Sequence, residues 1–96
     1  MKRKAQYYLD ASNKIMDKRR LDYLTSENTM IKAIDSSSES NAWNHEGSRN
    51  ESGNITTNIR WTFKDGSMLA MDMEFIGSRF RYSRPSVLNH SFPESS

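Results

Sequence analysis

The feature that most constrains this chain is a strict alternation of residue types on both sides of Gly66. From Ile55 to Phe63 the odd-numbered positions carry Ile, Thr, Ile, Trp and Phe, while the even-numbered positions carry Thr, Asn, Arg and Thr. The odd positions from Leu69 to Phe75 are again apolar. Because successive side chains of a strand point to opposite faces, this period of two predicts two strands that each have one apolar face.

The length of the turn decides whether these apolar side chains share one face. A two-residue Asp65-Gly66 loop would place Trp61 beside Ala70 and divide the apolar residues between the two faces. A three-residue loop, 64–66, with Gly66 in the left-handed conformation and a bulge, keeps them together. We therefore predict the three-residue loop, which pairs Phe63 with Ser67, Trp61 with Leu69, Ile59 with Met71 and Ile55 with Phe75.

A third strand follows by the same pairing rule. Gly77-Ser78 is typical of a two-residue hairpin loop, whose first position favours glycine, and Pro85 then ends the strand. The predicted pairs are Ile76 with Arg79, Phe75 with Phe80, Glu74 with Arg81 and Met73 with Tyr82. The predicted meander spans 55–84, and its apolar face carries Ile55, Ile59, Trp61, Phe63, Leu69, Met71, Met73, Phe75, Phe80 and Tyr82.

The residue pattern of the N-terminal half predicts a helix followed by less regular structure. Over about 5–24, apolar or small residues recur on one helical face at Ala5, Tyr8, Leu9, Ser12, Ile15, Met16 and Tyr23. Arg19 interrupts this face, so the helix is expected to end or change partners near Lys18. Residues 28–35 fit a short helix or a buried strand, and the strand is favoured. Residues 36–54, rich in Ser and Asn, are expected to form a flexible loop, and residues 86–96 a frayed tail.

These elements predict one small α+β domain, in which an N-terminal amphipathic helix packs on a three- to four-stranded antiparallel β meander. The core must be thin, because Leu, Ile, Val and Phe together number 16 of 96 residues. The helical face offers about seven side chains to cover ten on the sheet. A homodimer through the remaining sheet surface or an edge is therefore an expectation.

Several classes of protein find no support in the residues. The chain has no cysteine and no apolar run of about 20 residues, and the basic start is not followed by a signal-peptide core. We therefore expect a cytoplasmic location. His45 and His90 stand alone in polar segments, so no metal is expected and no cofactor motif is found. Asp72 and Glu74 face arginines, which lower carboxyl pKa values and so disfavour a general acid.

The functional expectation is a small non-catalytic protein that binds another protein as a regulator or inhibitor. The residues expected to bind the partner are Lys18, Arg19, Arg20, Met68, Arg79 and Arg84. The alternative is nucleic-acid binding through Lys2, Arg3, Lys4, Lys18, Arg19, Arg20 and Arg79, because basic groups can follow phosphates. A third possibility is an enzyme that uses His45 and Glu46 of the polar loop.

Overall fold

The structure, a computed structural model, describes residues 2–18 and 23–88. Its two helices are α1 (Lys4–Lys18) and α2 (Tyr23–Ser37). Its strands are β1 (Ser40–Trp43), β2 (Ser48–Arg49), β3 (Ile55–Thr62), β4 (Met68–Ile76), β5 (Arg79–Tyr82) and β6 (Ser86–Leu88). The α+β class and the N-terminal helix are confirmed, while the sheet has more strands than the three or four predicted. Within the described residues, neither helix is long and apolar enough to span a membrane.

The sheet is built on two long central strands, and each of their outer edges is lined by two short strands. β3 pairs along its whole length with β4, from Met68 to Phe75. β1 and β2 both pair with β3, while β5 and β6 both pair with β4, and every pairing is antiparallel. The six strands therefore occupy four positions across the sheet, and each of the two edge positions is shared by two short strands. Short edge strands are one way in which sheets limit unwanted pairing with other chains.

Both predicted registers are confirmed. Trp61 lies opposite Leu69, and Phe75 lies opposite both Ile55 and Phe80. The N–H of Phe63 donates to the carbonyl oxygen of Ser67 at 3.0 Å, which closes the three-residue loop. Gly66 has φ +86°, the left-handed value that this loop requires of a residue without Cβ.

The helices cover the apolar face at the end nearest the β3–β4 turn. α1 lies against β4 and β6, and α2 packs against α1. Tyr8 of α1 stacks on Phe63 with ring centroids 5.7 Å apart, and the indole N–H of Trp61 donates to the Asp35 carboxylate at 2.5 Å. The buried cluster consists of Ala5, Tyr8, Ile34, Ile59, Trp61, Phe63, Leu69 and Met71. The predicted helical face is confirmed at Ala5, Tyr8 and Ser12, which are all buried.

The turn between β3 and β4 also caps helix α1. The first helical N–H groups have no partner within the helix, and the Arg3 side chain at the cap position has no acceptor. Instead the Lys4 N–H donates to the Asp65 carboxylate at 2.7 Å, and the Ala5 N–H donates to the Ser67 hydroxyl oxygen at 3.0 Å. The Arg3 guanidinium donates to the Asp65 carbonyl oxygen. The loop that sets the strand register therefore also fixes where the helix begins.

The structure corrects two predictions for the N-terminal half. The helix predicted over about 5–24 consists of two helices: α1 ends at Lys18, where the interruption by Arg19 was expected, and α2 has begun by Tyr23. Of the two structures that fit residues 28–35, the helix is confirmed and the favoured strand is wrong, because these residues belong to α2. Ile31 and Ile34 are three positions apart, and Met30 is four positions before Ile34, so these apolar side chains fall on one helical face and pack at the core.

Two segments predicted to be irregular contain strands. Residues 36–54 begin with the end of α2 and include β1 and β2, whose side chains are all exposed. Backbone hydrogen bonds hold these strands to β3, and such bonds do not require apolar side chains. The sequence therefore shows no alternation of apolar residues that would reveal the two strands. The predicted tail includes β6, which resumes pairing after Pro85 and places Val87 against the core. Residues 89–96 lie outside the described residues.

We predict that Asp65→Ala lowers the free energy of unfolding by about 1 kcal/mol at neutral pH, because it removes the helix cap. Burial would raise the pKa of the Asp65 carboxyl, but hydrogen bonds from Ser67 and the Lys4 N–H outweigh it and hold the pKa below its usual value. The stabilisation is therefore present above the unfolded-state pKa and is lost as pH falls through the folded-state pKa. Urea denaturation across this pH range measures the effect.

The matched control is Lys64→Ala, because Lys64 is an exposed residue of the same loop. We expect this variant to unfold like the wild type at each pH. An equal loss in both variants, or a loss in Asp65→Ala that does not shrink in acid, would contradict capping by the carboxylate.

Candidate interaction surface

Within the described residues, the apolar face of the sheet is partly exposed at the end far from the β3–β4 turn. We call Ile55, Phe75, Phe80 and Tyr82 the open end, because all four point to the same face as the buried Trp61. Ile55 is 41% exposed and Phe80 is 47% exposed, while Phe75 and Tyr82 are half-buried. Exposed apolar groups that are contiguous on a small protein are typical of binding surfaces.

The aromatic rings of the open end are packed against one another. The Phe75 and Phe80 rings meet edge to face with centroids 5.0 Å apart, and Phe80 and Tyr82 are tilted at 6.2 Å. These rings belong to paired strands, so their positions are fixed by the β4–β5 ladder. A rigid aromatic cluster loses little conformational entropy on binding, which is one reason aromatic residues dominate the energetics of protein interfaces.

Trp43 adds a second exposed aromatic side chain on the same face. It lies opposite Ile59 on edge strand β1 and is 40% exposed. The apolar face therefore has uncovered aromatic groups at both edges, with β3 and β4 between them.

The opposite face of the sheet is polar and carries an open cavity of about 350 Å³. Its wall is centred on Glu74, which accepts hydrogen bonds from the side-chain amides of Asn50 at 2.8 Å and Asn54 at 3.0 Å. Arg81 forms an ion pair with the same carboxylate at 2.6 Å. The other residues that line the cavity are Asn44, Ser48, Thr56, Thr57, Asn58, Asp72, Met73, Tyr82 and Ser83.

The Glu74 carboxylate is held in its charged form. Hydrogen bonds from Asn54 and Asn50, followed by the one from Arg81, lower its pKa to about 2. Such a group is an acceptor and not a proton donor near neutral pH. Through these hydrogen bonds Glu74 on β4 links the loop before β3 to strand β5.

Three of the residues predicted to bind a partner lie on or near strands β4 and β5. Arg79 is exposed on the polar face opposite Ile76, and it forms no ion pair with any described residue. Met68 is half-buried on that face between Thr62 and Leu88. Arg84 donates to the side-chain oxygen of Asn13 at 3.1 Å, so it contacts α1.

The N-terminal basic residues predicted for nucleic acid are engaged within the chain. Lys2 pairs with Asp10 at 2.5 Å, Arg3 donates to the turn at Asp65, and the Lys4 ammonium lies 5.9 Å from the centre of the Tyr7 ring. Arg19 and Arg20 lie outside the described residues, as does the side chain of Lys18. The structure therefore brings Arg79 close to the open end, while the N-terminal basic residues lie by the β3–β4 turn.

The alternation of residue types places the open end on the apolar face that the helix is expected to cover, so the sequence does not mark it as a site. Seven side chains on the helix are too few to cover ten on the sheet, so part of the apolar face is expected to stay exposed. The sequence does not indicate which residues that part contains. Comparisons with protein-family models, with characterised proteins and with solved structures find no match for this chain. Over residues 2–18 and 23–88, no cluster of three or more His, Asp or Glu side chains could hold a metal ion.

We predict that Glu74→Gln destabilises the protein at neutral pH, because the neutral amide replaces an acceptor that has three donors. The folded-state pKa lies below the ordinary value of 4.5. The stabilisation is therefore present above that ordinary pKa and is lost as pH falls through about 2. Chemical denaturation at a series of pH values should show the wild type and the variant converging in acid, and carboxyl carbon NMR should follow the Glu74 titration directly.

Asp72→Asn is the matched control for this experiment. Asp72 lies on the same face of the same strand, and its carboxylate forms no hydrogen bond with any described residue. A loss in Asp72→Asn as large as that in Glu74→Gln would show that the effect is a general response to charge and not the loss of these contacts.

Proposed function

We propose that this chain is a small non-catalytic protein that binds another protein through the open end of its sheet and acts as a regulator or inhibitor. The observation that carries this proposal is the exposed aromatic cluster of Phe75, Phe80 and Tyr82 beside Ile55. Protein interfaces commonly place aromatic and arginine side chains at their energetic centre. Arg79 and Arg81 lie on the same short strand as Phe80, which supports this class of partner.

The nucleic-acid alternative is less well supported by the arrangement of the same strand. Proteins that bind single strands place stacking rings and cationic groups so that one face of the sheet serves both bases and phosphates. In β5, Arg79 and Arg81 point to the polar face, while Phe80 and Tyr82 point to the apolar face. A nucleic acid lying on one face would meet either the rings or the arginines. A protein partner that reaches around the edge would meet both.

We predict that Phe80→Ser weakens partner binding while the fold is retained, because about half of this side chain is already exposed. An aromatic residue at the centre of an interface typically contributes about 2 kcal/mol, so affinity should fall by more than tenfold. A photo-crosslinking residue placed at position 80 in the native cell should give one adduct of defined mass. Circular dichroism and amide NMR of the variant would verify the fold.

The control is Tyr7, which is 55% exposed on helix α1 and distant from β5 in the chain. Tyr7→Ser should retain binding to the partner identified through position 80, and a crosslinker at position 7 should not give that adduct. If both aromatic positions behave alike, the open end is not the binding surface and the proposal is wrong.

A salt titration separates the two classes of partner. If the alternative holds, single-stranded RNA or duplex DNA should bind at low salt, and the affinity should fall steeply as salt rises because bound counterions are released from the phosphates. We expect neither nucleic acid to bind at low salt. Tight, strongly salt-dependent binding that is weakened by Arg79→Ala would instead establish the nucleic-acid function.

A further inference from the structure

We propose that strand β5 is the docking edge for an extended segment of the partner, whose side chains alternate between acidic and apolar. This inference rests on the proposed function, and it adds the mode of recognition and the chemistry of the segment. In this mode a partner strand extends the sheet by pairing with β5, while its side chains contact both faces at once.

The ladder between β4 and β5 determines which backbone groups of β5 face outward. In an antiparallel pair, hydrogen-bonded and non-hydrogen-bonded positions alternate. The Ser83 N–H donates to the Asp72 carbonyl oxygen at 2.9 Å, so Ser83 and Asp72 form a hydrogen-bonded pair. Counting back along the register, Phe80 and Phe75 form a non-hydrogen-bonded pair. The Phe80 N–H and C=O therefore point away from β4, toward the edge.

This edge is accessible over the described part of the chain. Among the described residues β5 pairs only with β4, and three of the four β5 residues are exposed. β6 runs along the same edge but pairs with β4 at Met68, Leu69 and Ala70, well before the region opposite β5. An added strand at Phe80 would thus meet an unoccupied position of the sheet and would not displace β6.

The charge along this edge indicates an acidic partner. Residues 76–88 contain Arg79, Arg81 and Arg84 and no Asp or Glu. Arg81 is partly neutralised by Glu74, but Arg79 forms no ion pair with a described residue. Opposite charges on neighbouring strands stabilise their pairing, so acidic side chains facing Arg79 and Arg81 are favoured.

The same charges disfavour a second copy of this chain as the occupant. A two-fold axis at Phe80 would place Arg79 opposite Arg81 of the other copy, and an axis at Arg81 would place the two Arg81 side chains opposite each other. Like charges directly opposite on paired strands are destabilising. The edge is therefore built for a different chain, whose apolar side chains would face Phe80 and the open end.

The probe is a capped synthetic peptide of alternating glutamate and valine, titrated into the full ¹⁵N-labelled chain. Its counterpart has lysine in place of glutamate. We expect the glutamate peptide to bind at least about tenfold more tightly, with the largest amide shifts at Phe80, and Arg79→Glu to reverse this preference. Equal binding of the two peptides, no binding of either, or shifts confined to the Glu74 cavity would overturn the inference.

A chemically synthesised chain with N-methylated Phe80 tests the backbone contact. The methyl group removes the outward N–H and leaves the side chain and the β4–β5 hydrogen bonds in place, so binding of the glutamate peptide should be lost. If Phe80→Ser loses the natural partner but the N-methylated chain keeps it, strand addition is wrong and the proposed function stands. If Phe80→Ser keeps the partner, the proposed function itself is wrong.

Sedimentation at high micromolar concentration tests the remaining occupant, a second copy of the chain. The sequence alone suggested a homodimer, but the arginines that would oppose each other across a β5–β5 contact lead us to expect a monomer. A dimer that disappears on N-methylation of Phe80 would assign the edge to self-association and would overturn the acidic partner.

Discussion

The rest of the structure depends on the hydrogen-bonded turn between β3 and β4. Its three residues keep the apolar side chains of both strands on one face, because a loop one residue shorter would move every side chain of one strand to the other face. Its Asp65 and Ser67 also accept hydrogen bonds from the first N–H groups of α1. The same loop therefore creates the apolar face and positions the helix that covers it.

The position at which α1 begins explains why the helices cover the apolar face of the sheet unevenly. α1 starts at the turn, and the buried Tyr8, Phe63 and Trp61 all lie at that end of the sheet. Ile55 and Phe75 lie at the opposite ends of β3 and β4, and Phe80 on β5 lies across from Phe75. A strand rises by about 3.3 Å per residue, so these side chains are far from the turn. The apolar face is thus buried near the turn and exposed at the far end. At the far end an aromatic cluster lies beside a short, arginine-rich edge strand.

The candidate surface could be predicted only in part from the sequence. Strand β5 follows from the alternation of Arg79, Phe80, Arg81 and Tyr82, and the register that opposes Arg81 to Glu74 was predictable from the two-residue loop. The exposure of Phe80 was not predictable, because the alternation is the same for a covered and an uncovered apolar face. Coverage depends on where the helices lie, and the contacts of Asp65 and Ser67 with α1 join residues more than sixty positions apart.

Side-chain periodicity in the sequence by itself determined the central hairpin, the β4–β5 register and the amphipathic stripe of α1, because each depends on neighbours along the chain or across a short turn. Only the tertiary structure decided that β1, β2 and β6 complete the edges, that 28–35 are helical, and that Ile55 and Phe80 at one end of the apolar face are exposed. Edge strands form through backbone hydrogen bonds, which every residue except proline can provide in full, so exposed polar residues carry no pattern that reveals them. The burial of a side chain is likewise a property of what packs against it, and for this sheet that packing comes from distant segments of the chain.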